Sequence, residues 1–371
     1  MAFTYADGMY TVKIGKSDRV NTIMLEPNVA KMPDGGIIVC YTKGGDFEPD
    51  LRNATRYRIS YDNGRSWSEE KALFQHSTKG VYTPELSFAG GKLYAFPSAY
   101  SGKRGFEWDF TSYISTSCDF GKSFTSPRSI GGCLANIRIK DTLELSDRIL
   151  FSCSWLETVG DYWAPTDGDK DCIIAGRVIT HDESEKWQSS IKGTCGVLIL
   201  DKDGKNPRVR GSIEGITIDA GFCEPMLTTL SDGTIVCLLR SNCVHSIFES
   251  RSYDNGESWT EPVKTDIPSA ISKIDVIRDS KGVHYLLLNA DISGRRSPLS
   301  LWISYDDMKT WSKKIDLITS DGDSTIQYPI PYAEEGTMCC YPDGFIDEDR
   351  GVICFSWDDR HNIYYSEYKI K

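Results

Sequence analysis

The 371-residue chain is 40 % hydrophobic, enough for a packed core, and rich in Gly (32) and Tyr (19), a balance that favours strands and turns over helices. Its net charge of −11 sets it against nucleic acid and anionic membrane surfaces, which would repel it. Twelve Cys are scattered without CxxC pairs or a CxxC…HxxxH pattern, which excludes a zinc finger. Cys40, Cys237 and Cys354 lie inside apolar runs, as reduced thiols packed like small hydrophobes would.

The opening "MAFTYADGMYTVKIG" holds no apolar run long enough for a signal peptide or a membrane span, so a cytoplasmic protein is expected. Within it "MYTVKI" alternates as a strand does. From there the chain reads as six similar units. Apolar strands interrupted by turn-like residues occur at 32–41 (MPDGGIIVCY), 88–97 (FAGGKLYAFP), 144–153 (ELSDRILFSC), 230–239 (LSDGTIVCLL), 278–288 (RDSKGVHYLLL) and 346–357 (IDEDRGVICFSW). The first five are each followed by a second signal. It is Ser60-x-Asp62-x-Gly64-x-x-Trp67, then Ser117-x-Asp119-x-Gly121-x-x-Phe124, and Ser252-x-Asp254-x-Gly256-x-x-Trp259. Degenerate copies are Thr180-x-Asp182-x-Ser184-x-x-Trp187 and Ser304-x-Asp306-x-Met308-x-x-Trp311. Asp accepts bonds from backbone amides of its own turn, Gly tolerates positive φ, and the aromatic three residues later tucks beneath. These turns are structural staples.

Six units in 371 residues give a pitch of about sixty, room for four short strands each. That is the arithmetic of an all-β, six-bladed β-propeller spanning residues 1–371 as one domain, its ring closed by the N-terminal strand. The longer intervals between units three and four, around 155–175 and 188–220, read as insertions at a rim.

Asp-containing turns of this form, in a β repeat of this length, resemble the Asp-boxes of the sialidase (neuraminidase) superfamily, and the resemblance covers almost the whole chain. It implies an active site at the mouth of the central funnel. There three arginines clamp a substrate carboxylate, a Tyr paired with a Glu acts as nucleophile, and an Asp serves as acid/base. Carried over residue by residue, the Glu corresponds to Glu224 and the following strand-end arginine to Arg240, both in "CEPMLTTLSDGTIVCLLR". The next clamp arginine is Arg296, or Arg295 one step away, and the nucleophile is Tyr341. The acid/base is Asp46 or Asp50, in "YTKGGDFEPDL". The first blade departs from the pattern: where the family carries Arg-Ile-Pro, this chain has Leu25-Glu26-Pro27. A carboxylate stands in place of the first clamp arginine, and the spacing of Arg19 does not nominate it as a substitute.

A neutral phenol suits a substrate carrying a carboxylate, because it is not repelled as a carboxylate nucleophile would be, and Glu224 would take its proton. Arginine binds a carboxylate through two parallel N–H bonds, which Lys does poorly. Inner-strand starts also bear Glu26, Glu85 and Asp343, expected to meet substrate at the same mouth. Those carboxylates leave open a hydrolase or lyase for a different, uronic or neutral, sugar, and the fold alone leaves open a silent glycan-binding propeller. Trp108 and Trp163 fall on expected rim loops. The expected partner is a glycan, with no cofactor and no metal: "DGDKD" (167–171) imitates a calcium loop but lacks its turn Gly and has Val178 in place of the twelfth-position Glu. His245 and His361 read as rim or packing residues.

Overall fold

The structure, a computed structural model, describes residues 3–18, 23–46, 50–100, 111–129, 138–158, 172–174, 177–179, 191–214, 221–241, 244–322 and 336–370. Among these there is no helix, and hence none long and apolar enough to cross a membrane.

Four-stranded antiparallel sheets succeed one another along the chain. Blade 1 holds β3 (Met24–Lys31), β4 (Ile37–Lys43), β5 (Ala54–Ser60) and β6 (Lys71–Phe74). Blade 2 holds β7 (Gly80–Ala89), β8 (Lys92–Tyr100), β9 (Thr111–Ser117) and β10 (Arg128–Ser129). Blade 3 holds β11 (Arg138–Glu144), β12 (Arg148–Thr158), β15 (Ile191–Asp201) and β16 (Arg208–Glu214). Blade 4 holds β17 (Phe222–Thr229), β18 (Ile235–Ser241), β19 (Ser246–Ser252) and β20 (Val263–Pro268). Blade 5 comprises β21 (Asp275–Arg278), β22 (His284–Leu288), β23 (Leu299–Ser304) and β24 (Lys313–Ser320). Blade 6 has β25 (Cys340–Asp347), β26 (Val352–Asp358) and β27 (Asn362–Lys369). Its fourth strand is β2 (Tyr10–Lys16), paired antiparallel to β27, which closes the ring as the alternation of "MYTVKI" implies. β1 (Phe3–Tyr5) adds a fifth strand to blade 5 by pairing with β24, a feature the sequence does not announce.

Each inner strand touches the next one, β3 to β7, β11, β17, β21, β25 and back to β3. Apolar side chains fill the seams between blades, because each sheet has two faces to bury. Met24, Val39, Tyr41, Cys354 and Tyr365 pack between blades 6 and 1, and Leu150, Val197, Phe222 and Cys237 between blades 3 and 4. Cys40, Cys237 and Cys354 are free and buried in such seams, as their apolar runs imply.

All six strand–turn–strand segments form the hairpin of a blade's first two strands. Four staples are described, at the turn between third and fourth strands. In each, the Ser hydroxyl accepts the amide of the Gly position (2.8–3.0 Å) and donates to the Asp (2.7–2.8 Å). A second hydroxyl completes the Asp carboxylate's partners: Ser66, Ser123, Ser258 or Thr310, two residues past the Gly position. Antiparallel alternation puts these turns at the end remote from where inner strands begin.

One expectation is corrected. The described part of the second interval, 191–214, is not an insertion, because β15 and β16 supply the third and fourth strands of blade 3 itself. The extra length lies inside that blade, between β12 and β15, where β13 (Cys172–Ile174) and β14 (Arg177–Ile179) pair as a separate hairpin. The third-to-fourth turn of blade 3 is therefore at 202–207, made by Gly204 and Asn206 at positive φ rather than by a staple. The Thr180–Trp187 copy lies outside the described residues.

Candidate active site

The inner strands begin with a shared device. In blades 1, 4 and 6 the ladder slips between Leu25 and Asn28, Cys223 and Met226, and Cys340 and Asp343, leaving Glu26-Pro27, Glu224-Pro225 and Tyr341-Pro342 as bulges. Proline costs no ladder bond there because it has no N–H. The residue before it is left-handed in all three: φ is 49° at Glu26, 49° at Glu224 and 54° at Tyr341. Non-glycine residues in that region cost about 1–3 kcal/mol and persist only where surrounding structure holds them. Thr83-Pro84 occupies the same register in blade 2, and Lys140 is the extra residue of the blade 3 bulge.

The bulges bring one buried cluster together. Arg240, opposite Cys223 near the end of β18, donates through Nη1 to Glu224 Oε2 at 2.5 Å. Lys140 Nζ lies between two carboxylates, 3.5 Å from Glu26 Oε2 and 3.9 Å from Glu224 Oε1. The Tyr341 ring is 3 % exposed, with the Arg296 guanidinium 4.9 Å and the Arg360 guanidinium 4.8 Å from its centre. Arg296 is fixed by an Nη2 bond to the Ile271 carbonyl, while its buried Nε and Nη1 have no hydrogen-bond partner among the described residues. Asp358 ties blade 6 to blade 1, accepting from the Glu26 amide at 2.8 Å and from the Arg360 amide at 3.0 Å.

Charge decides protonation here. Burial would raise the Glu224 carboxyl, but Arg240 and Lys140 more than offset it and hold the group down at about 2. Glu224 is thus a carboxylate throughout the ordinary pH range. Burial pushes the Tyr341 phenol well above its usual value despite the arginines around it, and Glu224 adds to that rise. Glu224 acts on Tyr341 through this field; among the described residues its polar contacts are with Arg240 and Lys140 rather than with the phenol oxygen. Burial lifts Asp358 to about 7, against the pull of Arg360.

Glu85 and Asp343 sit one step deeper, in the neck. Asp343 accepts from the Val29 amide at 2.8 Å, from Asn28 Nδ2 at 3.0 Å and from Lys273 Nζ at 2.7 Å, and Glu85 accepts from Asn28 Nδ2 at 3.1 Å. Asp141 and Asp275 bond likewise to the Leu227 and Gly344 amides of the next blade. These carboxylates join neighbouring blades, so Asp343 and Glu85 have structural partners where the sequence reading gave them substrate. Asp46 and Asp50 both pair with Arg52, at 2.6 and 2.8 Å, in a turn after β4. Between the two candidate clamp arginines the structure distinguishes plainly: Arg296 is buried in the funnel and Arg295 is exposed. His245 packs with Nδ1 3.0 Å from the Ser269 carbonyl. Arg19, Trp108, Trp163 and 167–171 lie outside the described residues, among which no cluster of metal-ligand type occurs.

Sequence reasoning missed Lys140 and Arg360. The X-Pro repeat at inner-strand starts marks Tyr341 as a counterpart of Glu26 and Glu224, but Lys140 has no proline after it. Arg360 belongs to a turn, at φ 72°, between β26 and β27, a place the family pattern does not direct attention to.

Comparison with known proteins agrees with this architecture. Among curated protein sequences none is a significant match. Among solved structures, a protein of unknown function from Dyadobacter fermentans is similar at a TM-score of 0.71 and 16 % identity, over 99 % of this chain and 100 % of that one. The NanB sialidase of Streptococcus pneumoniae is similar at 0.68 and 12 % identity, over 97 % of this chain and 70 % of that one. The Trypanosoma rangeli sialidase is similar at 0.65 and 12 % identity, over 98 % of this chain but 60 % of its own. At these identities the likeness shows the fold. Residues 85–352 match the BNR repeat-like domain, most of the chain, and with the staples and six blades on view the protein belongs to that family, the Asp-box propellers of the sialidase superfamily.

Proposed function

We propose that the protein is an exo-acting glycoside hydrolase that removes a terminal sugar bearing a carboxylate, sialic acid or a relative, with Tyr341 as nucleophile. The observation that carries this reading is the convergence of Arg240, Arg296 and Arg360 on one tyrosine, in a chain whose overall charge is −11. Buried N–H donors of Arg296 face a site that asks for an acceptor, and a carboxylate supplies two. Arg360 enters from blade 6 beside the Glu26 bulge and stands in for the arginine absent from blade 1.

In the proposed first step the Tyr341 hydroxyl loses its proton to Glu224, and the phenolate oxygen bonds to the anomeric carbon as the glycosidic C–O bond breaks. The leaving oxygen takes a proton from Asp46 or Asp50 once that residue is released from Arg52. Water then cleaves the tyrosyl–sugar bond, its proton returning through the aspartate and the phenol regaining its own from Glu224, with net retention. Glu224 must exchange its bond to Arg240 for one to Tyr341, which a substrate carboxylate pairing with Arg240 would promote.

A second reading rests on Glu26 with Lys140. A carboxylate–ammonium pair in place of an arginine can bond sugar hydroxyls, which suits a uronic or neutral sugar. Hydrolysis of an aryl glycoside panel including the α-sialoside and the glucuronide, by wild type and Tyr341→Phe, separates these. Sialoside turnover that falls at least about a hundredfold in the variant supports the first. Glucuronide turnover with silence on the sialoside supports the second. Silence throughout, with glycan binding intact, would make the propeller a binding module.

A further inference from the structure

Away from the funnel, a groove of about 390 Å³ opens between the outer strand of blade 4 and the staple turn of blade 5. It is within the ~300–1,000 Å³ range of small-ligand sites. Its position coincides with the one described staple that has lost its glycine. In the others a Cβ has no room. It would meet Tyr365 of blade 6 at 2.1 Å from Gly64, Ile38 of blade 1 at 2.9 Å from Gly121, and Leu150 of blade 3 at 2.4 Å from Gly256. Each glycine lets its turn settle directly onto the preceding blade. In blade 5 the position is Met308, still left-handed at φ 61°, with its side chain packed on the blade 4–5 core that contains Leu238. Leu238 and Met308 both line the groove. A long side chain, kept in a conformation that disfavours it, takes the place of that close approach.

We infer that the groove is a second glycan site, separate from the funnel, that takes an acidic oligosaccharide. Its wall is aromatic: half-buried Trp311 lies 6.3 Å from Trp302, at 58°, and Trp302 is itself buried in the core behind it. Amphipathic rings of this kind offer an apolar face to the C–H side of a sugar. Its rim is cationic. Lys264, Lys309 and Lys314 are exposed, and among the described residues none of them forms an ion pair with a carboxylate. Lys314 Nζ instead rests 3.7 Å above the Trp302 ring. The remaining charges are Arg251, already paired with Glu249 at 2.8 Å, and Asp266. Among the lining residues four cations face two carboxylates on a chain of net charge −11, a local reversal that favours anions even with Asp306 and Asp307 of the staple beside Lys309. Carboxylates along a sugar chain would meet the lysines while a ring of the chain lies against Trp311. Such a site would retain a long acidic glycan after each funnel event.

The test is isothermal titration of wild type and the Lys264→Ala/Lys309→Ala/Lys314→Ala variant. The probes are a hexamer of α2,8-linked sialic acid, hexagalacturonate, maltohexaose and hexaglutamate. All three lysines are exposed, so the variant folds, and its turnover of a small aryl glycoside is expected to equal that of wild type. At least one carboxylated hexamer should bind wild type and weaken tenfold or more in the variant, with maltohexaose and hexaglutamate ineffective. Equal binding by wild type and variant, binding of neither acidic hexamer, or equal binding of hexaglutamate would overturn the inference. Loss of aryl glycoside turnover in Tyr341→Phe bears only on the funnel, so the two readings fail separately.

Discussion

Two arginines of the funnel are equally deep in the protein yet should respond in opposite ways to the same substitution. Arg240 neutralises Glu224, and Arg240→Met would strand a buried carboxylate whose remaining cation, Lys140, is 3.9 Å away. Breaking a buried pair from one side costs about 3–5 kcal/mol. Arg296→Met removes a guanidinium with two unpartnered buried donors, each a burden of about 1–3 kcal/mol. Against that relief stand the bond to the Ile271 carbonyl, about 1.5–3 kcal/mol, and the contact with the Tyr341 ring, about 0.5–2 kcal/mol. The opposing contributions leave Arg296→Met within about 1 kcal/mol of wild type. Its effect on a carboxylated substrate is large, because losing one side of a buried charge pair costs about 2–5 kcal/mol, or roughly thirty- to several-thousandfold in kcat/KM. Urea unfolding at pH 7 and kcat/KM on the aryl α-sialoside read the two quantities. Equal destabilisation by both substitutions would show that Arg296 is a structural cation, and the case for it as a ligand donor would collapse.

Other outcomes follow from the same geometry. Asp358 and Asp141 are both raised by burial to about 7, so the folded state binds protons that the unfolded state has released; stability should be full below about pH 4 for these groups and fall as pH rises towards 7. For Asp358 alone the loss is on the order of 4 kcal/mol, and Asp358→Asn should flatten the dependence of the urea midpoint between about pH 4 and pH 7. Gly64→Ala forces a Cβ to 2.1 Å from the Tyr365 ring at φ 76° and should cost about 2–4 kcal/mol. Gly35→Ala, at φ 86° with nothing within 4 Å, should cost only about 1 kcal/mol, and equal midpoints for the pair would refute the close-approach explanation. Deleting residues 1–16 removes β1 and β2, and should abolish a single sharp thermal transition; an unchanged transition would mean that the ring does not need its clasp.

The propeller was largely legible because its signals are local and repeated. Ser60, Asp62, Gly64 and Trp67 make bonds within eight residues of one another, and the Ser bonds to the Asp and to the Gly position recur at the same offsets in the other described staples. The strand–turn–strand segments are legible for the same reason. Blade 3 was less so, because its third-to-fourth turn uses Gly204 and Asn206 instead of the expected hydroxyl–Asp–Gly pattern, and the degenerate copy at 180–187 drew attention to the wrong interval. The funnel was legible where a residue type recurs before proline, as at Glu26, Glu224 and Tyr341. It was opaque at Lys140, whose partner Glu26 is 114 residues away, and at Arg360, which meets Tyr341 from a turn between the second and third strands of the same blade. Asp343 and Glu85 were read as mouth residues for want of depth information. A sequence places a side chain on the inner strand, but only register shows whether it points to the opening or locks the next blade.

The pairing of β2 with β27 has a temporal side. Thr11 bonds to Ser366, a partner 355 residues later in the chain, so during synthesis β2 must wait for the rest of the propeller before it finds its neighbour. Until β27 emerges, β2 and the growing blades expose open sheet edges, and the ring can neither close nor bury its final seam. Closure of so long a loop is slow, and edges left open in the interval invite pairing between chains. Once formed, the same connection works in the opposite sense. Peeling away blade 6 requires undoing strands from both ends of the described chain at once, and β1 on blade 5 extends that lock across a second seam. The protein should therefore be harder to produce than to keep: assembly governed by a late encounter, and persistence governed by the rate at which the clasp reopens.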